Sequence, residues 1–124
     1  ENPQVDKIVI NYIYMWEIEF YPPGSNKSPV TDFIDNLQKD TISKVRNVIK
    51  LLSEYGPLLR QPYSKKLSGH DRLFELRTSG KSPVRLLYTT VNKKFIILNA
   101  FKKKTNKTPQ NEIKTAMSRM SNLT

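Results

Sequence analysis

The chain has 124 residues, a formal net charge of +10, one histidine and no cysteine. This length fits one domain with a modest core, and a hydrophobic content of 37% indicates that the chain folds. The missing cysteines exclude a disulfide framework, and a single histidine excludes the usual histidine-rich zinc sites, so we expect no metal and no cofactor. No segment has the length and hydropathy of a membrane span or a signal peptide, so we expect a cytoplasmic protein without a membrane partner.

The positive charge is concentrated in the second half of the chain. Residues 1–55 carry six Lys/Arg and eight Asp/Glu, whereas residues 56–124 carry fifteen Lys/Arg and three acids. Such an asymmetry predicts a polyanionic partner, and nucleic acid is a better candidate than an anionic membrane surface.

The first elements fit a strand followed by a helical hairpin. Residues 1–14 lack a regular pattern and are read as an extension of unknown role, ahead of a single domain at residues 15–124. Apolar and polar residues alternate over residues 16–21, which predicts a half-buried strand. Ser28 and Pro29 indicate a helix start, and a second helix is predicted over residues 40–55, where Gly56 and Pro57 stop it.

The second half of the chain predicts a three-strand meander and a last helix. After a loop at residues 58–70, strands are expected at residues 73–78, 84–90 and 95–101, and a helix from Thr108 and Pro109 onward. The predicted fold class is α+β: a small antiparallel sheet, made of the N-terminal strand and the meander, packed against an N-terminal helical hairpin and a C-terminal helix. We expect the helices mainly on one side of the sheet.

Side-chain alternation predicts that several charges share one face of this sheet. Phe74 and Leu76 should point to one side of their strand, and Glu75 and Arg77 to the other. By the same alternation Arg85, on the next strand, joins Arg77 on the open face. Lysines that follow the last strand or precede the first strand of the meander should surround them: Lys65, Lys66, Lys102, Lys103, Lys104 and Lys107.

The lysines after the last strand form the densest cationic cluster of the chain. Lys102, Lys103, Lys104 and Lys107 fall within six residues, between an apolar strand and a helix start. Cations crowded in this way repel one another unless an anion lies among them. Phosphate is the anion that best suits such a cluster.

Several ordered motifs of the chain carry a resemblance to a known family. They are KLSG at residues 66–69, LFELR at 73–77, VRLLY at 84–88, FKKKT at 101–105, KTP at 107–109, and Glu112 with Ile113. In this order, from about Met15 to the C-terminus, the chain resembles the HigB/RelE superfamily of bacterial toxins, and especially its HigB-type, phage-related branch.

The resemblance implies a RelE-like fold and a metal-independent endoribonuclease that cleaves mRNA in the ribosomal A site. It also implies a cognate helix-turn-helix antitoxin, HigA-like, as a protein partner beside mRNA and the ribosome. In that family, arginines of the second and third strands and a basic residue after the last strand contact the scissile phosphate. They correspond to Arg77, Arg85, and Lys103 or Lys104, and a lysine of the preceding loop corresponds to Lys66.

The acid and base of such a reaction stay open at the level of sequence. Relatives place a tyrosine or histidine near the C-terminal helix, where this chain has Gln110 and Asn111. The remaining candidates are Glu75 as base, Lys103 or Lys104 as acid, and less plausibly His70 or Tyr88. Because cations flank Glu75 and favour its charged form, this carboxylate is better suited to orienting Arg77 than to accepting a proton.

Two other functions use the same residues. The chain can be a nucleic-acid-binding module in which the cations only bind phosphates, or a toxin-like fold used for partner binding. Strong salt-dependent binding without turnover favours the first, and an exposed apolar groove between the N-terminal helices and the sheet favours the second. Glu75 can also form purely structural ion pairs with Arg77 or Arg85.

Overall fold

A computed structural model describes residues 16–123 of the chain. The extension that was predicted at residues 1–14 lies outside this range. Within residues 16–123, no helix combines the length and the apolar character needed to cross a membrane.

The described residues form five strands and three α-helices. The strands are β1 (Glu17–Phe20), β2 (Ser64–Lys66), β3 (Phe74–Arg77), β4 (Val84–Val91) and β5 (Lys94–Lys102). The helices are α1 (Pro29–Asp35), α2 (Lys39–Tyr55) and α3 (Gln110–Ser121), and a 3-10 turn, Gly56–Leu58, follows α2. The α+β fold class is confirmed, and the predicted helices and strands recur in the predicted order.

The sheet differs from the prediction in two ways. Its strand order is β1-β5-β4-β3-β2, and β1 runs parallel to β5, so the sheet is mixed and not antiparallel throughout. The direction of β1 was missed because its partner lies far along the chain. The extra strand β2 lies in the segment that was predicted as a loop. Its Ser-Lys-Lys sequence has no apolar alternation to indicate a strand, and backbone pairing with β3 holds it in the sheet.

The first two helices pack on the face of the sheet that carries Phe74, Tyr88 and Phe95, which we call the aromatic face. Buried side chains from both helices meet apolar residues of β3, β4 and β5 there. The Ser28 hydroxyl caps α1 by accepting hydrogen bonds from the backbone N–H groups of Val30 and Thr31.

Gly56 ends α2 in a position that only glycine fits. Its φ is +57°, and a Cβ at this position would lie 2.3 Å from the Trp16 indole Nε1. Positive φ and the close approach of the indole both require the absence of a side chain. The glycine C-cap that the sequence predicted therefore also lets Trp16 pack against the end of α2.

The third helix covers part of the opposite face, which we call the arginine face because it carries Arg77 and Arg85. Ile113 and Ala116 of α3 pack against a second buried cluster that includes Leu87 and Leu98. The expectation of helices mainly on one side is thus corrected: α1 and α2 cover one face, and α3 covers part of the other. Apolar residues of β4 and β5 on this face provide the reason, because they need a cover of their own.

Candidate functional site

Glu75 lies at the centre of a charged cluster on the arginine face. It is a β3 residue with a relative exposure of 1%, and its Oε1 accepts a hydrogen bond of 2.9 Å from Arg77 Nε. Arg85 Nε lies 3.8 Å from the same oxygen, because Arg77 and Arg85 are directly opposite each other in the β3–β4 register. The two arginines that the sequence placed on one face are therefore held by one buried carboxylate.

Arg85 is the more buried of the two arginines. Its side chain is 12% exposed, compared with 27% for Arg77. One of its terminal nitrogens donates to the backbone carbonyls of Thr78 (3.2 Å) and Val84 (3.3 Å). Burial lowers the pKa of the Arg85 guanidinium, and its neighbour Glu75 opposes this by raising it. An arginine stays protonated under such a shift, so Arg85 is a fixed cation in the sheet.

Thr108, which lies between β5 and α3, provides a further hydrogen bond to Glu75. Its hydroxyl donates a 2.5 Å hydrogen bond to Glu75 Oε2. The sequence predicted Thr108 and Pro109 as a helix start, and α3 does begin at Gln110, but the Thr108 side chain binds the carboxylate and does not cap the helix. Sequence reasoning missed this residue; its one signal was a hydroxyl next to the lysine cluster.

Three lysines lie around this cluster. Lys103, Lys104 and Lys107 line a shallow depression together with Glu75 and Arg85. The Lys103 backbone N–H donates to the Pro83 carbonyl at 2.9 Å, which extends the β4–β5 ladder past the end of β5. The structure thus brings Arg85 together with the lysines after β5, while Arg77 joins this group through Glu75.

The other lysines are divided between the two faces. Lys65 is the direct cross-strand partner of Glu75, so its side chain belongs to the arginine face. Lys66 pairs with Phe74, and Lys102 pairs with Val84, so alternation places both on the aromatic face. The structure therefore separates Lys66 and Lys102 from the arginine cluster.

The acid–base candidates have distinct surroundings. Both carboxylate oxygens of Glu75 accept hydrogen bonds, as an orienting group requires. Tyr88 lies on the aromatic face, where burial raises the pKa of its phenol and its OH is hydrogen-bonded to Ser64 Oγ at 2.6 Å. His70 belongs to the loop before β3 and is absent from the lining of the depression. Of the acid–base candidates other than Glu75, Lys103 and Lys104 are the ones that line the depression with Arg85.

Neither an exposed aromatic ring at Phe101 nor a cluster of metal ligands is found in the described range. Phe101 is 7% exposed and belongs to the core cluster under α3, so the structure places it in the core. Among residues 16–123, no three His, Cys, Asp or Glu side chains lie close enough together to hold a metal ion. The site is therefore built from guanidinium, ammonium, hydroxyl and carboxylate groups.

Such a site is suited to an anion with several oxygens. A guanidinium presents a planar fork of N–H donors that matches phosphate, and a lysine adds a point charge on a flexible stem. Because Glu75 fixes both guanidinium groups before any ligand arrives, the donors are oriented in advance.

The sequence matches the family described as phage derived protein Gp49-like (DUF891) over residues 32–121. The match extends from α1 through α3 and includes the charged cluster, the lysines after β5 and most of both cores. A search of curated proteins finds no match to the chain. The chain belongs to the Gp49-like, phage-derived family, a toxin-like family of the RelE/HigB type.

Proposed function

We propose that this chain is the toxin of a type II toxin–antitoxin system and acts as a ribosome-dependent endoribonuclease that cleaves mRNA. The observation that carries the proposal is the pair Arg77 and Arg85, oriented by buried Glu75 beside the lysines after β5. Membership of a toxin-like family supports it independently.

In the proposed reaction the RNA supplies its own nucleophile. The 2′-OH gives its proton to solvent water and its oxygen attacks the adjacent phosphorus. The P–O5′ bond breaks, and the products are a 2′,3′-cyclic phosphate and a 5′-hydroxyl end. No metal is required, because the protein needs only to align the backbone and to stabilise the extra negative charge of the pentacoordinate phosphorane.

The arginine cluster supplies that stabilisation. Arg85, held by backbone carbonyls and Glu75, offers fixed donors to a non-bridging oxygen, and Arg77 offers a second set from the more exposed side. Loss of one preorganised donor of this kind typically lowers a rate by about 10²–10³-fold.

Proton transfer is assigned to the lysines after β5. Lys103 or Lys104 protonates the leaving 5′ oxygen, because both line the depression next to Arg85. Lys65 and Lys107 extend the cationic surface along the RNA backbone. Lys66 and Lys102 lie on the aromatic face and reach the RNA only around the edges of the sheet, so they contribute less to RNA binding.

The biological setting follows from this proposal. The toxin acts in the cytoplasm on mRNA in the ribosome, and a cognate HigA-like antitoxin with a helix-turn-helix domain neutralises it. A second candidate function is a toxin-like fold that serves only for partner binding, and an apolar groove on the aromatic face favours it.

Induced expression in bacteria tests the proposal. We expect the wild-type chain to arrest growth, with primer extension showing cuts inside translated codons, and the Arg85→Ala variant to do neither. Arg46→Ala, which removes an exposed arginine of α2, is the matched control and should arrest growth like the wild type. Arrest and cutting by an Arg85→Ala variant that is folded and equally expressed would overturn the assignment of the arginine cluster.

A further inference from the structure

A groove opens on the aromatic face, on the other side of the sheet from the arginine cluster. It has a volume of about 290 Å³ and lies between the 3-10 turn after α2 and the strands β2, β3 and β4. Its floor is formed by Phe74, Tyr88 and Phe95, and Pro57, Leu59 and Arg60 line the side next to the 3-10 turn.

The floor of the groove is aromatic and rigid. The rings of Phe74 and Tyr88 stack with centroids 5.4 Å apart, and Phe95 meets Tyr88 edge-on at 5.5 Å. The hydrogen bond between the Tyr88 OH and Ser64 Oγ satisfies the buried phenol. The floor therefore has a fixed shape, and Phe74, the least buried of the three rings, presents apolar surface there, as anchor pockets of protein interfaces do.

Exposed apolar side chains stand beside the groove. Leu58, between the lining residues Pro57 and Leu59, is 73% exposed, and Tyr55 one turn earlier is 56% exposed. They are the two most exposed large hydrophobic residues of the described range. Large exposed apolar residues next in the chain to the lining of an apolar groove are typical of an interaction surface.

The rim of the groove is positively charged. The cationic side chains on this face are Arg60 and Lys66, and none of the lining residues is acidic. The nearest acidic partner recorded for Lys66 is Asp71 at 3.9 Å, and both side chains of that pair are exposed. Such a surface pair contributes little to stability, so the Lys66 ammonium is free to bind a ligand.

We propose that this groove binds an acidic segment of a partner protein that inserts apolar side chains between the cations. Acidic residues complement Arg60 and Lys66, and apolar residues fit the aromatic floor and contact Leu58. A second copy of this chain is a poor occupant, because its charge of +10 opposes the cationic rim.

RNA is also a poorer occupant than an acidic peptide. Tyr88 and Phe95 are only 4% and 3% exposed, and their rings pack on each other, so they offer edges and not open faces for base stacking. Because the groove and the arginine cluster lie on opposite faces, this binding does not depend on the proposed ribonuclease activity, and the two assignments can fail separately.

Peptide selection tests the proposal without assuming a natural partner. A random 16-residue library displayed on phage is selected on the full wild-type chain, and the enriched peptide is synthesised with a fluorescent label. We expect a sequence that combines Glu or Asp with large apolar residues. Its dissociation constant, measured by anisotropy, should rise at least about tenfold for Arg60→Glu/Lys66→Glu, in which two groove cations are reversed.

Matched variants separate the groove from the overall charge. Lys81→Glu/Lys114→Glu makes the same charge change at exposed positions away from the groove and should change the affinity less than about twofold. Leu58→Ser should weaken binding several-fold, while Met117→Ser, which alters an exposed apolar residue of α3, should not.

Three results would overturn the proposal. One is the enrichment of no peptide, or only of peptides without acidic residues. Another is an equal loss of affinity for both charge-reversed variants, which means attraction by net charge alone. The third is a single-stranded 12-nucleotide RNA whose binding is weakened by Arg60→Glu alone, since the groove would then be a nucleic-acid surface.

Discussion

The two faces of the sheet are built from the same strands and have opposite chemistry. On β3, Phe74 and Leu76 contribute to the aromatic face, while Glu75 and Arg77 contribute to the arginine face. The helices α1 and α2 cover the first, and α3 covers only part of the second, so the charged end of the arginine face stays at the surface. One alternating sequence thus encodes an apolar core on one side and a charged cluster on the other.

The comparison also shows two ways of using buried polarity. On the aromatic face, the buried Tyr88 hydroxyl finds a neutral partner in Ser64, and the pair serves packing. On the arginine face, buried Glu75 holds two cations and Thr108, an arrangement that places donors at the surface. The first pairing satisfies the hydroxyl of a tyrosine whose ring is part of the core. The second orients two guanidinium groups on the arginine face.

The largest expected effect comes from removing the carboxylate that organises the arginine face. Glu75→Ala leaves the half-buried Arg85 without its counter-ion, and loss of one partner of a buried ion pair costs about 3–5 kcal/mol. Urea unfolding followed by circular dichroism measures this loss. Glu17→Ala, which removes an exposed carboxylate on β1, is the control and should change the midpoint far less. Equal midpoints for both variants would mean that Glu75 does not hold the cluster.

A smaller effect is expected at Thr108, which joins α3 to the cluster. Thr108→Val removes a hydrogen bond to a buried carboxylate, and such bonds to charged groups contribute about 1.5–3 kcal/mol. Thr108→Ser keeps the hydroxyl and should restore both the unfolding midpoint and the cleavage rate. If Ser and Val behave alike, the hydroxyl does not position Glu75.

The lysines after β5 should govern salt dependence more than stability. For Lys103→Ala/Lys104→Ala we expect the slope of log K against log salt, measured with a single-stranded RNA, to fall by about 1.4, because each lost phosphate contact removes about 0.7. Lys93→Ala, at the tip of the β4–β5 hairpin, should leave the slope unchanged. An unchanged slope in the double variant would move RNA binding away from the arginine face.

The smallest effect concerns the partly exposed ion pair between Lys94 and Glu19 at the β1 edge of the sheet. Lys94 Nζ donates to Glu19 Oε2 at 2.9 Å, and this hydrogen bond lowers the pKa of Glu19 from its ordinary 4.5. A depressed carboxyl pKa contributes stability above the unfolded pKa, and this contribution is lost as pH falls through the folded pKa. Wild type should therefore lose slightly more stability than Glu19→Gln between about pH 6 and pH 3; a parallel decline would show that the pair contributes nothing.

The sequence predicted most of the fold because its periodic segments are also its buried ones. The second helix, predicted over residues 40–55, is observed as Lys39–Tyr55, and the meander strands recur within about one or two residues at most ends. β2 was missed because an edge strand of Ser-Lys-Lys depends on backbone pairing and not on apolar alternation. The parallel pairing of β1 with β5 was missed because strand direction across distant partners leaves no local pattern.

The candidate site was predictable to the extent that it depends on alternation within strands. Glu75, Arg77 and Arg85 share a face, as their spacing indicated. Lys66 and Lys102 lie on the other face, because the register of β2 and the register shift between β4 and β5 decide this, and neither leaves a local sequence pattern. Thr108 reaches Glu75 only through the turn between β5 and α3, a tertiary contact without a spacing rule.

One measurement tests the central claim most directly: cleavage of a 5′-labelled mRNA in reconstituted bacterial translation complexes, with and without a 2′-deoxy nucleotide at the cut site. The account predicts that wild-type chain cuts the all-RNA message to a 2′,3′-cyclic phosphate, that the single 2′-deoxy substitution abolishes the cut, and that Arg85→Ala lowers the rate by about 10²–10³-fold. A cut that survives the 2′-deoxy substitution, or an Arg85→Ala rate equal to that of wild type, would contradict it.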